Sequence, residues 1–202
     1  MTTNIYTKAY KSPPVQKNEI FRYAGAAADV PHLNALVDEC LAEAFGVLTY
    51  KVCYKEFPVS ELNGTLDLGF AKTTAAGLKR NLRGSSSLIL FAASVGIGID
   101  RLIARYSKIS PVKALVFSAI GSERVESLAD VFEGEVREMA RERGGITHTR
   151  FSPGYGDFPL EMQRDIFAAL DCPRKIGVTL GDTMLMSPTK SVTAIIGIEV
   201  PK

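Results

Sequence analysis

The chain has 202 residues, 46% of them hydrophobic and 23% charged, which suits one domain with or without an N-terminal elaboration and excludes a disordered chain. Its formal net charge of +2 is too small for the basic surface that nucleic acid or an anionic membrane would demand. The longest apolar run, about Leu88 to Val95, is far too short to span a bilayer.

In chain order, residues 1–18 are polar, contain Pro13-Pro14, and are expected to form an extended or mobile arm ahead of a domain over 19–202. Glu19 to Tyr23 is read as a short strand. Pro31 opens a helix that runs to about Ala44, with Leu33, Leu36, Val37, Cys40, Leu41 and Ala44 on one stripe, and Gly46 closes it. Val47 to Phe57 is rich in β-branched and aromatic residues and predicts a strand, and Thr65 to Phe70 a shorter one. Thr73 to Leu82 reads as a helix stopped by Gly84, its basic cluster Lys79-Arg80-Asn81-Leu82-Arg83 being a solvated helix end. Ser87 to Ser94 has the continuous apolar character of a strand covered on both faces, and a helix follows over Ile99 to Tyr106.

The longest helical pattern covers Pro111 to Arg143, with Gly121-Ser122 as a possible kink or break and Gly144-Gly145 as its end. Thr147 to Phe151 leads into a loop, Leu160 to Leu170 is helical, and Ile176–Leu180, Thr183–Met186 and Ser191–Val200 read as strands. Strands and helices mix without strict alternation, which predicts α/β (α+β) with a mixed, largely antiparallel sheet and not a doubly wound parallel fold.

The segment Arg150-Phe151-Ser152-Pro153-Gly154-Tyr155-Gly156-Asp157-Phe158-Pro159-Leu160 carries most of the chemical information. Two prolines and two glycines in eleven residues give a stiff loop that a ligand can approach closely. Arg150 offers a planar fork of donors suited to a carboxylate, and Tyr155 an aromatic face with a hydroxyl. Composition alone leaves open an ordinary tight connection around a buried tyrosine. Val95-Gly96-Ile97-Gly98 joins a strand to a helix and is either an anion-binding turn or simply a tight one, since the third glycine of a dinucleotide fingerprint is replaced by Arg101.

His148 reads as a polar strand residue, no nucleophile stands at a recognisable spacing from it, and Ser187-Pro188-Thr189-Lys190-Ser191 reads as a turn bordering the cleft. Cys40, Cys53 and Cys172, with His32 and His148, give neither a disulfide framework nor a zinc spacing. The N-terminal stretch lacks a secretory core, so a cytoplasmic protein with no metal of its own is expected.

The order R-F-S-P-G-Y resembles the R-x-x-P-G-Y signature of the activation domain of cobalamin-dependent methionine synthase. Leu88–Tyr106, Ala114–Arg137 and Ile176–Glu199 resemble further blocks of that family in the same order, so the likeness covers about residues 85–200. It implies a single curved domain with helices packed across an antiparallel sheet. It also implies S-adenosylmethionine as ligand, with Glu126 on its ribose hydroxyls or amino group and Arg150 on its carboxylate or neighbouring polar groups. Ser152 would act through its backbone, Pro153 and Gly154 would shape the loop, and Tyr155 would line the ligand or cobalamin face. Glu123, Asp130, Glu133 and Glu135 are left as solvated-face residues. The chain departs from the family after Tyr155, where Gly156-Asp157-Phe158 replaces a cysteine- and histidine-containing stretch, and at Gly144, where the family has an acidic residue.

The function so implied is that of a freestanding activator with no turnover of its own. It supports reductive methylation of cob(II)alamin held by a separate methionine synthase module or corrinoid protein, with flavodoxin or ferredoxin as electron donor. The alternatives are a self-sufficient small-molecule methyltransferase using the Gly96/Gly98 turn, and a non-catalytic adaptor that has lost its ligand.

Overall fold

The computed structural model describes residues 4–26 and 31–201. β1 (Tyr6–Tyr10) is followed by α1 (Lys17–Tyr23) and α2 (Pro31–Phe45). β2 (Tyr50–Pro58) leads into a small antiparallel sheet of β3 (Ser60–Leu62), β4 (Thr65–Asp67) and β5 (Lys72–Thr73). Then come α3 (Ala76–Asn81), β6 (Ser87–Ser94), α4 (Gly98–Tyr106) and α5 (Pro111–Glu142), which is 32 residues long. β7 (Ile146–Thr147), α6 (Gln163–Leu170), α7 (Cys172–Ile176), the two-stranded pair β8 (Thr179–Leu180) and β9 (Met186–Ser187), and β10 (Ser191–Glu199) complete the order.

The main sheet has the order β1-β2-β6-β10-β7, and its pairings are antiparallel throughout. The apolar run of β6 explains its central place, because both faces of the sheet are covered there. On one face Ile89, Phe91 and Ala93 pack with Ala194 and Ile196 against α1, α2, α4 and α5. On the other, Leu88, Leu90 and Ala92 meet Ile195 and the apolar sides of α3, α6 and α7. The expected α/β fold with a largely antiparallel sheet and packed helices is therefore what the chain adopts.

Several local expectations change. Tyr6–Tyr10, read as part of an arm, is the edge strand, in register with Tyr54 to Tyr50. Glu19–Tyr23, read as a strand, lies in α1, where Ile20 and Phe21 are buried against the α5 side of the core. α5 runs through Gly121-Ser122 without interruption, started by Ser110 at its N-cap and Pro111 in its first turn. The C-terminal strands shorten because Cys172–Ile176 is helical and Gly177 turns the chain with φ 72°.

Candidate functional site

The signature loop is stitched to the sheet before it is anything else. Phe151 exchanges two backbone hydrogen bonds of 2.9 Å with Ile195 of β10, and the His148 N–H donates to the Gly197 carbonyl at 3.0 Å. Beyond that point Gly154 (φ 91°) turns the backbone so that its N–H reaches the Phe158 carbonyl at 2.8 Å. Pro153 and Phe158 are buried, Phe158 in the core that α3, α6 and α7 cover, while Tyr155 between them is 66% exposed.

Asp157 then clamps the loop to α3. Its carboxylate accepts from the Ala76 and Gly77 N–H groups at 2.6 and 2.9 Å, satisfying orphan donors at that helix start. These bonds, that from Gly77 foremost, hold the Asp157 carboxyl below the usual carboxylate range. A Cβ at Gly77 would lie 2.8 Å from Asp157 Oδ1, so any side chain there would push the carboxylate off this helix start.

From the facing helix, Glu126, Asp130 and Glu133 stand at i, i+4 and i+7 and so share one side of α5. All three converge on Arg150, with Nη2 donating to Glu126 at 2.8 Å and Nη1 to Asp130 at 2.6 Å and Glu133 at 2.7 Å. Burial pulls the guanidinium down, but these bonds and charges outweigh it and leave Arg150 above its ordinary value. Three carboxylates surround Arg150, and even with Arg137 3.9 Å from Glu133 this wall stays net negative. Asp130 and Glu133 are thus partners of Arg150 and not simply solvated charges.

Two cavities meet at the Glu126–Arg150 pair. One, of about 220 Å³, is lined by Glu126, Arg150, Phe151, Ser152, Tyr155, Val192 and Ala194. The other, of about 210 Å³, lies towards α1 and includes Gln16, Glu19, Tyr23 and Asp130. Each is smaller than the roughly 300–1,000 Å³ of a small-molecule site, and the Glu126–Arg150 pair forms a wall of both. Of the residues singled out in sequence, Glu126, Arg150, Ser152 and Tyr155 line the first cavity, and Pro153 and Gly154 shape the loop behind it. The Ser152 N–H has no hydrogen-bond partner among the described residues.

The α1 side of this site was not foreseen. It depends on a buried pair: Arg124 and Glu123 have side chains 0% and 1% exposed. Arg124 donates to the Pro13 and Pro14 carbonyls, each at 2.7 Å, as well as to Glu123. Glu123 in turn accepts from the Gln16 N–H at 3.0 Å and Ser127 Oγ at 2.7 Å. Far from being solvated, these two charges hold the N-terminal segment across α5 and set Gln16 and Glu19 beside the cavity. Glu135, also read as solvated, accepts from Lys8 at 2.7 Å and Tyr10 at 2.6 Å and ties β1 to the same helix.

The Gly96/Gly98 turn packs closely against protein on its glycine side, while an open cavity of about 490 Å³ lined by Val47, Thr49, Ile97, Gly98, Arg101, Leu102 and Arg105 adjoins it. A Cβ at Gly96 would lie 2.3 Å from Thr49 Oγ1, one at Gly98 2.3 Å from the Val47 carbonyl, and the Gly96 N–H already donates to Ser94 Oγ. Its glycines serve close packing against the entry to β2. His148 lies apart from the cavity, its Nε2 3.6 Å from a Glu199 carboxylate oxygen.

Residues 79–200 match the family described as vitamin B12 dependent methionine synthase, activation domain. The chain belongs to this activation-domain family. Its fold is similar to that of a crystal structure of the MetH reactivation domain bound to AdoHcy, with a TM-score of 0.73 and 16% sequence identity over 98% of this chain and 79% of that one. No curated protein matches the chain. The activation-domain match spans Arg150 to Tyr155 and all of α5, whereas β1, α1 and α2 lie outside it. Among the described residues no helix is long and apolar enough to cross a membrane.

Proposed function

We propose that this activation-domain protein binds S-adenosylmethionine at the cavities on either side of the Glu126–Arg150 pair and supports reductive methylation of a corrinoid carried by a separate methionine synthase module or corrinoid protein. The observation that carries the reading is the convergence of Glu126, Asp130 and Glu133 on Arg150 beside an exposed Tyr155. Family membership and the AdoHcy complex of the structural neighbour support it. A wall with more carboxylates than cations suits a ligand bearing a sulfonium and an ammonium. Glu126 can accept from ribose hydroxyls or the amino group, the Ser152 N–H can donate to the ligand, and Tyr155 offers it a flat apolar face.

When bound, S-adenosylmethionine supplies the electrophilic methyl group. The protein's part is to bind, orient and cover it, which needs no general base. The corrinoid is the partner's to hold, a flavodoxin or ferredoxin provides the electron, and the chain alone has no turnover.

Titration calorimetry tests the ligand. Wild type binds S-adenosylmethionine, and Glu126→Gln, which removes a charge and keeps the shape, weakens it by about tenfold or more. Mixing with a cobalamin-loaded synthase that lacks its own activation domain, plus a reductant, tests the role through the decay of the cob(II)alamin absorption band. Methylation of small acceptors without a corrinoid protein would favour the self-sufficient enzyme. Partner binding without ligand binding would leave an adaptor.

A further inference from the structure

A cavity remote from the Glu126–Arg150 pair carries the opposite charge. It has a volume of about 570 Å³, lies between β3 and the end of α3, and shares no lining residue with the two cavities of the candidate site. Lys79, Arg80 and Arg83 line it, and Glu61 is the one carboxylate of its wall. Glu61 is paired with Lys79. Among the described residues neither the Arg80 nor the Arg83 guanidinium has an ion-pair or hydrogen-bond partner. Other carboxylates stand nearby but are engaged elsewhere. Asp157 accepts from the Ala76 and Gly77 N–H groups, and Glu199, beside Gly84, lies 3.6 Å from His148 Nε2.

A solvated helix end accounts for Lys79 and Arg80, which stand near the last carbonyls of α3. It does not account for Arg83, which lies beyond the helix. The Arg83 N–H donates to the Arg80 carbonyl at 3.4 Å, so helical spacing continues and the two arginines share one side of the turn. Nor does it account for the apolar part of the cavity, where Leu66 and Leu82, 4% and 3% exposed, stand with Val59. Ser60 and Ser85 complete the polar part, and the Ser85 Oγ, packed against Gly197, is buried without a hydrogen-bond partner.

We infer that this cavity is a second ligand site, for a small molecule that joins a phosphate monoester to an apolar body. With Lys79 spent on Glu61, Arg80 and Arg83 leave a surplus of two positive charges. A phosphate monoester carries a matching charge of about −1.5 to −2 near pH 7. The planar forks of the arginines suit its oxygens, and the serine hydroxyls add neutral donors. Val59, Leu66 and Leu82 receive the apolar part, and the volume falls within the roughly 300–1,000 Å³ of small-molecule sites. The inference stands apart from the S-adenosylmethionine reading, because the wall around Glu126 is net negative and this one net positive. The two sites select ligands of opposite charge.

Phenyl phosphate is the probe, followed by amide NMR of the full chain. In wild type the amides of Ser60, Glu61 and Lys79 to Ser85 should shift together and saturably. Those around Arg101, an exposed arginine in the cavity beside Gly98, should not. Inorganic phosphate, which lacks the apolar body, and benzoate, which has a single charge, should each bind less tightly. Arg80→Ala and Arg83→Ala should each weaken phenyl phosphate by about tenfold or more, and Arg101→Ala by less than about twofold. Both lining arginines are exposed, so the urea midpoints of these variants should match wild type and mark the loss as one of binding. Shifts that are absent or do not saturate overturn the inference. So do equal affinities for inorganic phosphate or benzoate, and an equal loss in Arg101→Ala.

Discussion

Replacing Arg124 by Met tests how the N-terminal segment is held. The substitution keeps an unbranched stem but leaves the Glu123 carboxylate, 1% exposed, without its counter-charge. Two neutral donors would remain to it, the Gln16 N–H and the Ser127 hydroxyl. The Pro14 carbonyl would lose its donor, and the Pro13 carbonyl would keep only Ser12 Oγ at 3.3 Å. Removing one partner of a buried pair costs about 3–5 kcal/mol, because the surviving charge stays buried and uncompensated. For a domain of this size that corresponds to a fall in Tm of about 6–20 °C. Urea unfolding reads the loss as a lower midpoint at an unchanged slope. Pairing the change with Glu123→Leu removes the stranded charge and should recover most of the stability. A loss below about 1 kcal/mol in the single variant would refute the reasoning and show the segment to be held by its apolar contacts alone.

Three further outcomes follow from the same geometry. Asp157→Asn weakens the cap on α3, and the effect has a direction in pH. Since the folded carboxyl titrates below its unfolded value, its contribution is in place above about pH 4 and is lost as the pH falls through the folded value. The amide shifts of Ala76 and Gly77 should therefore titrate at acid pH in wild type and stay flat in the variant; identical curves would clear Asp157 of the role. Gly96→Ala should destabilise by about 1–3 kcal/mol in denaturant titration, from φ 82° and the Thr49 contact. Adding Thr49→Ala should return only the steric part. Tyr155→Ala should change stability by less than about 0.5 kcal/mol, the ring being 66% exposed, yet weaken S-adenosylmethionine by about twofold to tenfold in calorimetry. A large stability loss with unchanged binding would make the tyrosine structural.

The sequence was legible where a segment carried its own signal. Ser87–Ser94 emerges as β6 over those same residues because an apolar run buried on both faces admits few other places. The long periodic stripe of α5 was equally readable, as was the glycine-rich loop. Tyr6–Tyr10 was not, since its first four residues are exposed and its partners lie 40 to 48 positions away in β2. Lys17–Tyr23 is too short to show a period, and its adjacent apolar pair Ile20-Phe21 fits a strand as well as a helix. Within the site, the i, i+4, i+7 spacing of Glu126, Asp130 and Glu133 was visible. Their common partner was not, because it is the pairing of His148 and Phe151 with the distant β10 that brings Arg150 over that side of the helix.

The place of β10 in the sheet has a consequence for biosynthesis. It lies between β6 and β7 and supplies Val192 and Ala194 to the cavity, yet of the five strands in this sheet it is the last to be synthesised. While residues 191–199 are still in the exit tunnel, β1, β2 and β6 can pair, but one flank of β6 remains open and apolar. The Arg150–Tyr155 loop has no Ile195 to attach to, and α5 presents its carboxylates to water. A nascent chain thus passes through a stage in which most of the core residues exist and the ligand cavity does not. The edge of β6 that will later be central is, at that stage, the surface most in need of protection from other chains.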